Sequence, residues 1–239
     1  MNIGLIFAGG SGVRMNTKGM PKQFLQMNGK AIIIHTLEYF ERCKDIDTIV
    51  VVCLEEYIEY LQSLLSANRI TKVKRIVPGG KCGQESIYHG LCAAEEIADG
   101  EDIVLIHDGV RPLISEELLS SSIQMVKEKG NAITVTPATE TIVQTENGET
   151  ISNIIDRKSC YIAKAPQSFY LKDILKVHRQ AIVDNKCDCI DSASLMREYG
   201  YSLNLLEGSN ENIKITNPSD FYILRAILEA RENSQIFGL

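Results

Sequence analysis

Short runs of apolar, mostly β-branched residues alternate with amphipathic helical segments over the first half of the chain. The predicted strands are Ile3–Ala8, Thr48–Cys53, Val73–Val77 and Asp102–His107, and the predicted helices span about 31–42, 55–66 and 85–98. Residues 103–106 (Ile-Val-Leu-Ile) contain no polar side chain, which is typical of a strand buried on both faces of a parallel sheet. This alternation predicts a doubly wound, mostly parallel α/β sheet of the Rossmann-like type.

The second half continues the series with one interruption. Ser115 is the expected N-cap of a helix that runs to Lys129 and ends at Gly130, and a strand is predicted at Ala132–Thr136. Around Asn147-Gly148, two alternating strands at 141–145 and 150–155 predict a hairpin with a type I′ turn, in which both central residues need positive φ. The remaining predicted elements are helices at 172–185 and 192–199, a strand at 202–206 and a helix after 218.

No linker or composition shift divides the 239 residues. One domain spanning 1–239 is therefore predicted, with the hairpin arm inserted at about 138–160. The net charge of −6 argues against a nucleic-acid binder with a broad basic face. No apolar window reaches membrane-spanning length and no basic leader precedes the first strand, so we expect a soluble cytoplasmic protein that does not bind membranes.

The seven cysteines are scattered and odd in number, which indicates reduced thiols rather than a disulfide framework. Cys187-Asp188-Cys189 lacks the usual spacing of paired zinc ligands, and no second pair accompanies it. A zinc site is therefore not predicted.

The loop after the first strand is the place to look for a ligand site, because open α/β sheets bind ligands beyond the carboxyl ends of their strands. The loop reads Ala-Gly-Gly-Ser-Gly-Val-Arg-Met over residues 8–15. The dinucleotide fingerprint fails because Met15 stands where the third glycine is required. The Walker-type phosphate loop fails because Ala31 follows Gly29-Lys30.

A glycine-rich turn with two cations remains. The backbone amides of Gly9, Gly10 and Gly12 can approach phosphate oxygens, and Arg14 and Lys22 can neutralise them. This combination suits a triphosphate. A tight turn with two solvated cations would have the same sequence, so the loop alone leaves both interpretations open.

Together with Pro21-Lys22-Gln23, this loop resembles the signature of the sugar-nucleotide pyrophosphorylases, and among them of the cytidylyltransferases that act on polyol phosphates. Two subfamilies share it: the 2-C-methyl-D-erythritol 4-phosphate enzymes of isoprenoid synthesis and the ribitol-5-phosphate enzymes of teichoic acid and capsule synthesis. The resemblance covers nearly the whole chain through further segments at 79–80, 86, 107–112, 156–157, 165–169, 191–194 and 212–216. It implies a fold of the nucleotide-diphospho-sugar transferase type.

The resemblance implies transfer of CMP from CTP to a polyol phosphate with release of pyrophosphate. It assigns catalysis to Arg14, Lys22 and Lys214, and nucleotide binding to Ala8, Gly9, Gly10, Gly12, Gly79, Gly80 and Ser86. Lys214 lies between Ile213 and Ile215, a pattern that equally fits an exposed lysine on an edge strand.

A magnesium ion is the implied cofactor, with Asp108 as its ligand at the end of a strand. Mg²⁺ binds through one or two carboxylates together with substrate phosphates. The alternative is an aspartate that caps the following turn. Gly109 departs from the alanine that the family usually has next to this aspartate.

The implied acceptor-binding residues are Arg111, Thr141, Arg157 and Asp191. In the family the hairpin arm reaches a second subunit, so a homodimer is expected, with the acceptor between one subunit's sheet and its partner's arm. An apolar arm would otherwise expose hydrophobic surface to water. For Arg157, an ion pair with the neighbouring Asp156 is the structural alternative.

The identity of the acceptor is less constrained. Ala8-Gly9-Gly10 favours D-ribitol 5-phosphate, since the erythritol-type enzymes more often have two alanines before the glycine. Ile190 replaces a threonine that both subfamilies place beside the acceptor, which leaves 2-C-methyl-D-erythritol 4-phosphate or another pentitol phosphate as alternatives. Gly83 replaces an arginine near the nucleotide, for which Lys81 or Gln84 can substitute in part.

Two other functions compete with this interpretation. One is a nucleotidyltransferase that uses UTP or another nucleotide on a sugar 1-phosphate, which the short chain disfavours. The other is a non-catalytic nucleotide-binding subunit, which would be expected to have lost the cations or Asp108, and these are present.

Overall fold

A seven-stranded, mostly parallel sheet forms the centre of the structure, a computed structural model that describes residues 1–10 and 19–237. The strands are β1 (Asn2–Ala8), β2 (Gln26–Met27), β3 (Lys30–Ala31), β4 (Thr48–Cys53), β5 (Val73–Pro78), β6 (Ile103–Asp108), β7 (Asn131–Pro137), β8 (Ile142–Gln144), β9 (Asn153–Ile155), β10 (Tyr161–Tyr170) and β11 (Leu205–Glu207). The order in the central sheet is β11-β7-β10-β6-β1-β4-β5. Strand β10 runs antiparallel to both neighbours, and the other neighbouring pairs are parallel.

Helices cover both faces of this sheet. They are α1 (Ile32–Arg42), α2 (Ile58–Ala67), α3 (Gly83–Glu95), α4 (Glu116–Lys129), α5 (Leu171–Val183), α6 (Ser192–Glu198) and α7 (Pro218–Phe237). Apolar side chains of α1, α2 and α4 belong to one core cluster, and those of α3, α5 and α6 belong to another. Residues 49–53 of β4 alternate between the two clusters, and the whole strand is buried, as expected for an apolar strand covered on both faces.

The predicted doubly wound α/β architecture is confirmed, and several element ends agree closely. Ser115 Oγ accepts a hydrogen bond from the Leu118 amide at 3.2 Å, and α4 ends at Gly130, whose φ is +87°. All seven cysteines are free thiols. None of the helices within 1–10 and 19–237 is long and apolar enough to cross a membrane.

Strand β10 was not predicted. Its sequence includes Pro166, and proline argues against a central strand because it cannot donate to the ladder. The structure accommodates it with an irregularity in register between Ala163 and Gln167. Side chains then bind the carbonyl groups there: Asn212 Nδ2 donates to Ala165 O at 2.6 Å, and Thr134 Oγ1 donates to Pro166 O at 2.7 Å.

The arm differs from the predicted hairpin. Strands β8 and β9 pair antiparallel but are shorter than predicted, and residues 145–152 connect them. Gly148 has a φ of +77° whereas Asn147 is not among the residues with positive φ, so the type I′ turn was wrong. The Asn147 side chain instead accepts hydrogen bonds from the amides of Glu149 and Thr150, both at 3.0 Å, which fold the loop locally.

Candidate active site

A cavity of about 280 Å³ opens at the carboxyl ends of β1 and β6, where ligands bind in sheets of this type. Its polar and charged lining comes from α3, β6 and the loop after it, the middle of β10, α5, the start of α6 with the residue before it, and the segment before α7. These residues are Gln84, His107, Asp108, Arg111, Lys164, Gln167, His178, Asp191, Ser192 and Lys214. The sequence-predicted residues Asp108, Arg111, Asp191 and Lys214 therefore share one cavity.

Asp108 pairs with two cations in this cavity. Arg111 Nε lies 2.7 Å from Asp108 Oδ2, and Lys214 Nζ lies 2.7 Å from Asp108 Oδ1. Burial opposes ionisation of the carboxyl, but Lys214 and Arg111 outweigh it and lower the pKa of Asp108 to about 2. Asp108 is therefore a carboxylate at neutral pH, and both of its oxygens accept hydrogen bonds from cations.

The segment that carries Lys214 is fixed by contacts to β10 and to the loop after β6. Arg111 Nη1 donates to Asn212 O at 3.0 Å, and the Ile215 amide donates to Val110 O at 2.9 Å. The edge strand that was the structural alternative for Lys214 is not formed, because the segment between β11 and α7 joins no strand ladder. Lys214 is placed by irregular backbone instead, with its ammonium group directed at Asp108.

His107, the residue before Asp108, is neutral. The side chain is buried, and its Nε2 lies 3.2 Å from Arg111 O. Burial lowers the pKa of His107 to about 4, against the opposing effect of the Asp108 charge. At neutral pH the positive charge around Asp108 therefore comes from arginine and lysine only.

Asp191 has a structural role in addition to lining the cavity. Its Oδ1 accepts a hydrogen bond from the Ser194 amide at 2.8 Å and so caps α6, while its Oδ2 accepts from Gln167 Nε2 at 2.8 Å. Gln167 Oε1 in turn accepts from the Ala193 amide at 2.8 Å. The neighbouring Ile190 side chain is 95% exposed at the cavity wall, so no packing holds it there.

The glycines predicted to bind the nucleotide come together with Ser86. A Cβ built on Gly79 would lie 3.1 Å from Ser86 Oγ and 3.6 Å from the Gly9 Cα. Any residue larger than glycine at position 79 would therefore fill the space between Gly79, Ser86 and Gly9. Ser86 Oγ accepts a hydrogen bond from the Gly80 amide at 2.8 Å. The turn after β5 and the start of the loop after β1 therefore form one surface of bare backbone.

Gln23 connects this surface to the residues that follow the first loop. Its Nε2 donates to Ala8 O at 2.7 Å and to Gly10 O at 3.1 Å, and the side chain is buried. Gly12 and Arg14 lie outside the described residues. Lys22, next to Gln23, begins a short 3-10 turn and is not part of the cavity lining.

Lys22 is electrostatically coupled to the first turn of α7. Burial raises the pKa of Asp220, but hydrogen bonds from Thr216 and Asn217 and the charge of Lys22 together bring it below its usual value. The Asp220 carboxylate accepts from the Thr216 amide at 2.7 Å. Because Thr216 is two residues from Lys214, the carboxylate that the charge of Lys22 stabilises is the one that binds the segment carrying Lys214.

Thr141 and Arg157 lie at the base of the arm, outside the cavity of their own chain. Thr141 precedes β8, and Arg157 begins a 3-10 turn after β9. Arg157 Nη1 donates to Thr139 O at 2.9 Å, and the ion pair with Asp156, which was the structural alternative for this residue, is not formed. Both residues are exposed, as are several apolar residues of the arm, among them Val143, Ile151 and Ile154.

The residues around Asp108 fit a magnesium ion only if phosphate oxygens of a substrate supply further ligands. Across residues 1–10 and 19–237, no cluster of three or more His, Cys, Asp or Glu side chains has a geometry that would hold a metal. A single carboxylate that is ionised at neutral pH, such as Asp108, is enough for Mg²⁺ when phosphate oxygens and water complete the shell. A carboxylate also offers about four lone-pair sites, so the two cations do not exhaust it.

Two polar residues of the cavity were not anticipated in these positions. Lys164 directly precedes the Ala165-Pro166-Gln167 segment, and nothing in the spacing marks it, because β10 itself was missed. Gln84 was expected to replace a missing arginine beside the nucleotide. Its side chain instead donates to Lys186 O at 2.9 Å and accepts from the Cys189 amide at 3.2 Å, so it fastens the loop before α6 to α3.

The sequence matches known proteins over nearly its whole length. A family model described as IspD, 2-C-methyl-D-erythritol 4-phosphate cytidylyltransferase, matches residues 3–230. The chain is 53% identical over 239 residues to a ribitol-5-phosphate cytidylyltransferase of Streptococcus agalactiae serotype V, covering 100% of both chains. It is 54% identical over 238 residues to the ribitol-5-phosphate cytidylyltransferase of Vibrio parahaemolyticus, again covering 100% of both. A 2-C-methyl-D-erythritol 4-phosphate cytidylyltransferase of Clostridium botulinum is 38% identical over 226 residues, which are 94% of this chain and 96% of the relative.

Solved structures have the same fold. The 4-diphosphocytidyl-2C-methyl-D-erythritol synthase of Anaerococcus prevotii superposes with a TM-score of 0.83 at 25% identity, covering 96% of each chain. The 2-C-methyl-D-erythritol 4-phosphate cytidylyltransferase of Thermus thermophilus superposes with a TM-score of 0.75 at 25% identity, covering 94% of this chain and 98% of that one.

Proposed function

Because the chain belongs to the IspD family of cytidylyltransferases, we propose that it transfers CMP from CTP to D-ribitol 5-phosphate, forming CDP-ribitol and pyrophosphate. One observation carries the choice of acceptor. Four relatives at 53–54% identity over the full length are named ribitol-5-phosphate cytidylyltransferases, whereas three relatives named for the erythritol acceptor are 34–38% identical. The product would be a precursor of teichoic acid or capsule.

The reaction needs positioning and charge neutralisation more than proton transfer. A non-bridging oxygen of the acceptor phosphate attacks the α-phosphorus of CTP in line, the bond from the α-phosphorus to the bridging oxygen breaks, and pyrophosphate leaves with that electron pair. A phosphate monoester is largely a dianion near pH 7, since its second pKa is about 6. The attacking oxygen therefore requires no general base.

We assign the neutralising cations to three residues. Arg14 and Lys22 act on the triphosphate and the departing pyrophosphate, and Lys214 acts on the α-phosphate from the other side. The ion pair with Asp108 supports the role of Lys214, because a long side chain held by a carboxylate keeps less rotational freedom to lose in the transition state. Asp108 would hold Mg²⁺ together with the triphosphate, and the ion would add positive charge where pyrophosphate leaves.

The glycine surface supports nucleotide binding. Gly9, Gly79 and Gly80 leave backbone amide and carbonyl groups open to approach, and Ser86 fixes the turn by bonding the Gly80 amide. We propose that Ala8, Gly10 and Gly12 extend this surface along the triphosphate. Backbone groups at a glycine-rich turn are suited to phosphate oxygens and to the edges of a base.

The acceptor site is proposed to form between two subunits. Arg111 and Asp191 line the cavity, while Thr141 and Arg157 project from the arm, outside it. Contact of one subunit's arm with the cavity of its partner would bring the four residues together and would cover the exposed apolar residues of the arm. The whole chain would then serve as one catalytic unit of a homodimer. As CTP is an intracellular nucleotide, we propose that the reaction takes place in the cytoplasm.

2-C-methyl-D-erythritol 4-phosphate is the second candidate acceptor. The matching family model is described for that substrate, and so are the structural neighbours reported above. Ile190 at the cavity wall offers no hydroxyl to either acceptor.

Product analysis tests the proposal. The purified protein is incubated with CTP, Mg²⁺ and ribitol 5-phosphate, and pyrophosphate release is measured together with CDP-ribitol by mass spectrometry. UTP, ATP and GTP replace CTP in parallel reactions, and ribitol replaces its phosphate ester. We expect release only with CTP and the phosphorylated acceptor. Equal release with UTP, or none with any polyol phosphate, would overturn the proposed function.

A further inference from the structure

Lys164 is a cation in the cavity wall that has no role in the proposed binding of CTP, magnesium or the acceptor. It lies in β10, directly after Ala163, the last residue that pairs regularly with β7 before the strand becomes irregular. Its Nζ donates to Asn210 O at 3.1 Å and approaches Asn212 O at 3.4 Å. An ammonium group has three donors, so at least one remains for a ligand.

The charges around Lys164 are unbalanced. Arg111 and Lys214 share the single carboxylate of Asp108, while Asp191 is bound by Gln167 and by the amide at the start of α6. Within the described part of the chain, no carboxylate lies within 4.0 Å of Lys164 Nζ. Burial, and secondarily the charge of Arg111, lower the pKa of Lys164, which indicates that its ammonium lacks a compensating anion.

An anionic ligand in the cavity would supply that missing charge. The nucleotide surface of Gly9, Gly79 and Ser86 is built from other elements, and these residues neither line the cavity with Lys164 nor accept its hydrogen bonds. Lys164 is instead close to Arg111 and to the segment at 210–212, on the wall proposed for the acceptor. Of the two phosphorylated substrates, the acceptor is therefore the one that it faces.

We propose that Lys164 binds the phosphate group of the acceptor and so determines the affinity for phosphorylated polyols. The inference depends on the proposed function, because it assumes that a polyol phosphate occupies this cavity. The ammonium keeps the two backbone carbonyls as its support and directs its remaining donor at a phosphate oxygen. This contact also holds the attacking phosphate near Arg111, which limits its freedom before it reacts.

Substitution of the lysine tests the proposal. Lys164→Met keeps the length and apolar stem of the side chain but removes the charge, and Lys164→Arg restores the charge. Lys127→Met is the matched control, since Lys127 is exposed in the last turn of α4 and does not line the cavity. The thermal midpoint of each variant is measured first, so that loss of folding is recognised separately.

Steady-state kinetics then separate the two substrates. For Lys164→Met we expect the KM for the acceptor to rise about 10-fold or more, as for loss of a hydrogen bond to a charged group, and the KM for CTP to change less than about twofold. Inorganic phosphate, used as a competitive inhibitor against the acceptor, should lose affinity in Lys164→Met, and Lys164→Arg should recover most of both effects. An equal rise in the KM for CTP would assign Lys164 to the nucleotide, and unchanged constants would exclude it from binding; either result overturns the proposal.

Failure of the Lys164 proposal can be distinguished from failure of the proposed function. If the wild-type protein uses a different polyol phosphate, the choice of ribitol 5-phosphate is wrong, and the same comparison is made with the acceptor that it does use. If the wild type transfers CMP to no acceptor, calorimetric titration with inorganic phosphate compares the wild type with Lys164→Met. Weaker binding in Lys164→Met supports an anion site at Lys164 without the transferase, and equal binding excludes it.

Discussion

Lys214 Nζ lies 2.7 Å from Asp108 Oδ1, although the two residues belong to segments far apart in the sequence. Asp108 ends β6 in the middle of the sheet, and Lys214 precedes the final helix. Arg111 completes the cluster on the other carboxylate oxygen and also binds Asn212 O, so the two segments are joined by both charge and hydrogen bonding. This contact brings the end of the chain to the carboxyl edge of the sheet.

The Asp108 cluster should serve both turnover and stability. For Asp108→Asn we expect kcat to fall about 10²–10³-fold, because Lys214 loses its orienting partner and the proposed magnesium ion would lose its protein ligand. Breaking a fully buried pair costs about 3–5 kcal/mol, but Lys214 is 40% exposed, so solvent screening reduces the expected loss of unfolding free energy to about 1–2 kcal/mol. Kinetics across a magnesium titration and urea unfolding measure the two effects.

Asp184→Asn is the matched control, since Asp184 is exposed after α5 and does not line the cavity. If Asp108→Asn keeps the turnover and the magnesium response of this control, the carboxylate has no part in the reaction.

Arg14 and Lys22 are predicted to act on the triphosphate. Arg14→Ala and Lys22→Ala should each lower kcat about 10²–10³-fold while changing the KM for the acceptor little, since each removes a donor to transition-state charge. Lys44→Ala, at an exposed lysine after α1, is the control. Near-normal kcat with a raised KM for CTP would show that the loop binds the nucleotide without stabilising the transition state.

Stability should depend on pH through His178, which is buried against Tyr88. Burial lowers its pKa to about 4 in the folded protein, from about 6.5 when unfolded. The unfolded chain therefore binds a proton first as pH falls, so this contribution to stability is complete above pH 6.5 and is lost progressively toward pH 4. When the pH is lowered from about 6.5 to 4.5, the free energy of unfolding of His178→Leu should fall by about 2 kcal/mol less than that of the wild type.

Urea unfolding at several pH values provides the measurement, and His89→Leu, at a partly exposed histidine of α3, provides the comparison. Parallel pH profiles of unfolding free energy for the wild type and His178→Leu would show that His178 is protonated to the same extent in the folded and the unfolded protein, which contradicts the prediction.

A site shared between subunits predicts recovery of activity on mixing. Arg157→Ala lies on the arm and Lys214→Ala in the cavity, so in a mixed dimer one site carries both changes and the other carries neither. After unfolding and refolding together in equal amounts, about half of the dimers are mixed, and about a quarter of wild-type activity should return if the arms cross. Each variant refolded alone is the control. A mixture no more active than these controls, or a fully active monomer in light scattering, would contradict the shared site.

Elements with a strong local pattern could be predicted from the sequence. Strand β4 is apolar from Ile49 to Cys53 and α4 has both a serine cap and a terminating glycine, so their ends agree with the structure to the residue. Strand β10 has no such pattern, because Pro166 interrupts it and distant side chains, such as that of Asn212, bind the carbonyls that the irregular pairing leaves. The arm turn failed for a similar reason, since the Asn147 side chain binds the loop's own amides.

The candidate active site could be predicted from the sequence only in part. The glycines after β1 and β5 mark a phosphate-type turn by their residue type, but their packing against Ser86 depends on the neighbouring strands. That Lys214 pairs with Asp108 follows from no spacing rule, because tertiary structure joins the two segments. Lys164 was missed for the same reason as its strand.

The preference between the two candidate acceptors tests the central claim most directly. The wild-type protein is given CTP, Mg²⁺ and equal concentrations of ribitol 5-phosphate and 2-C-methyl-D-erythritol 4-phosphate, and the two CDP products are quantified by mass spectrometry at early times. Their ratio equals the ratio of the two kcat/KM values. We predict that CDP-ribitol exceeds the other product by about 100-fold or more, the scale of discrimination available from a few hydrogen bonds. An excess of the methylerythritol product, or equal amounts of both, would contradict the assignment.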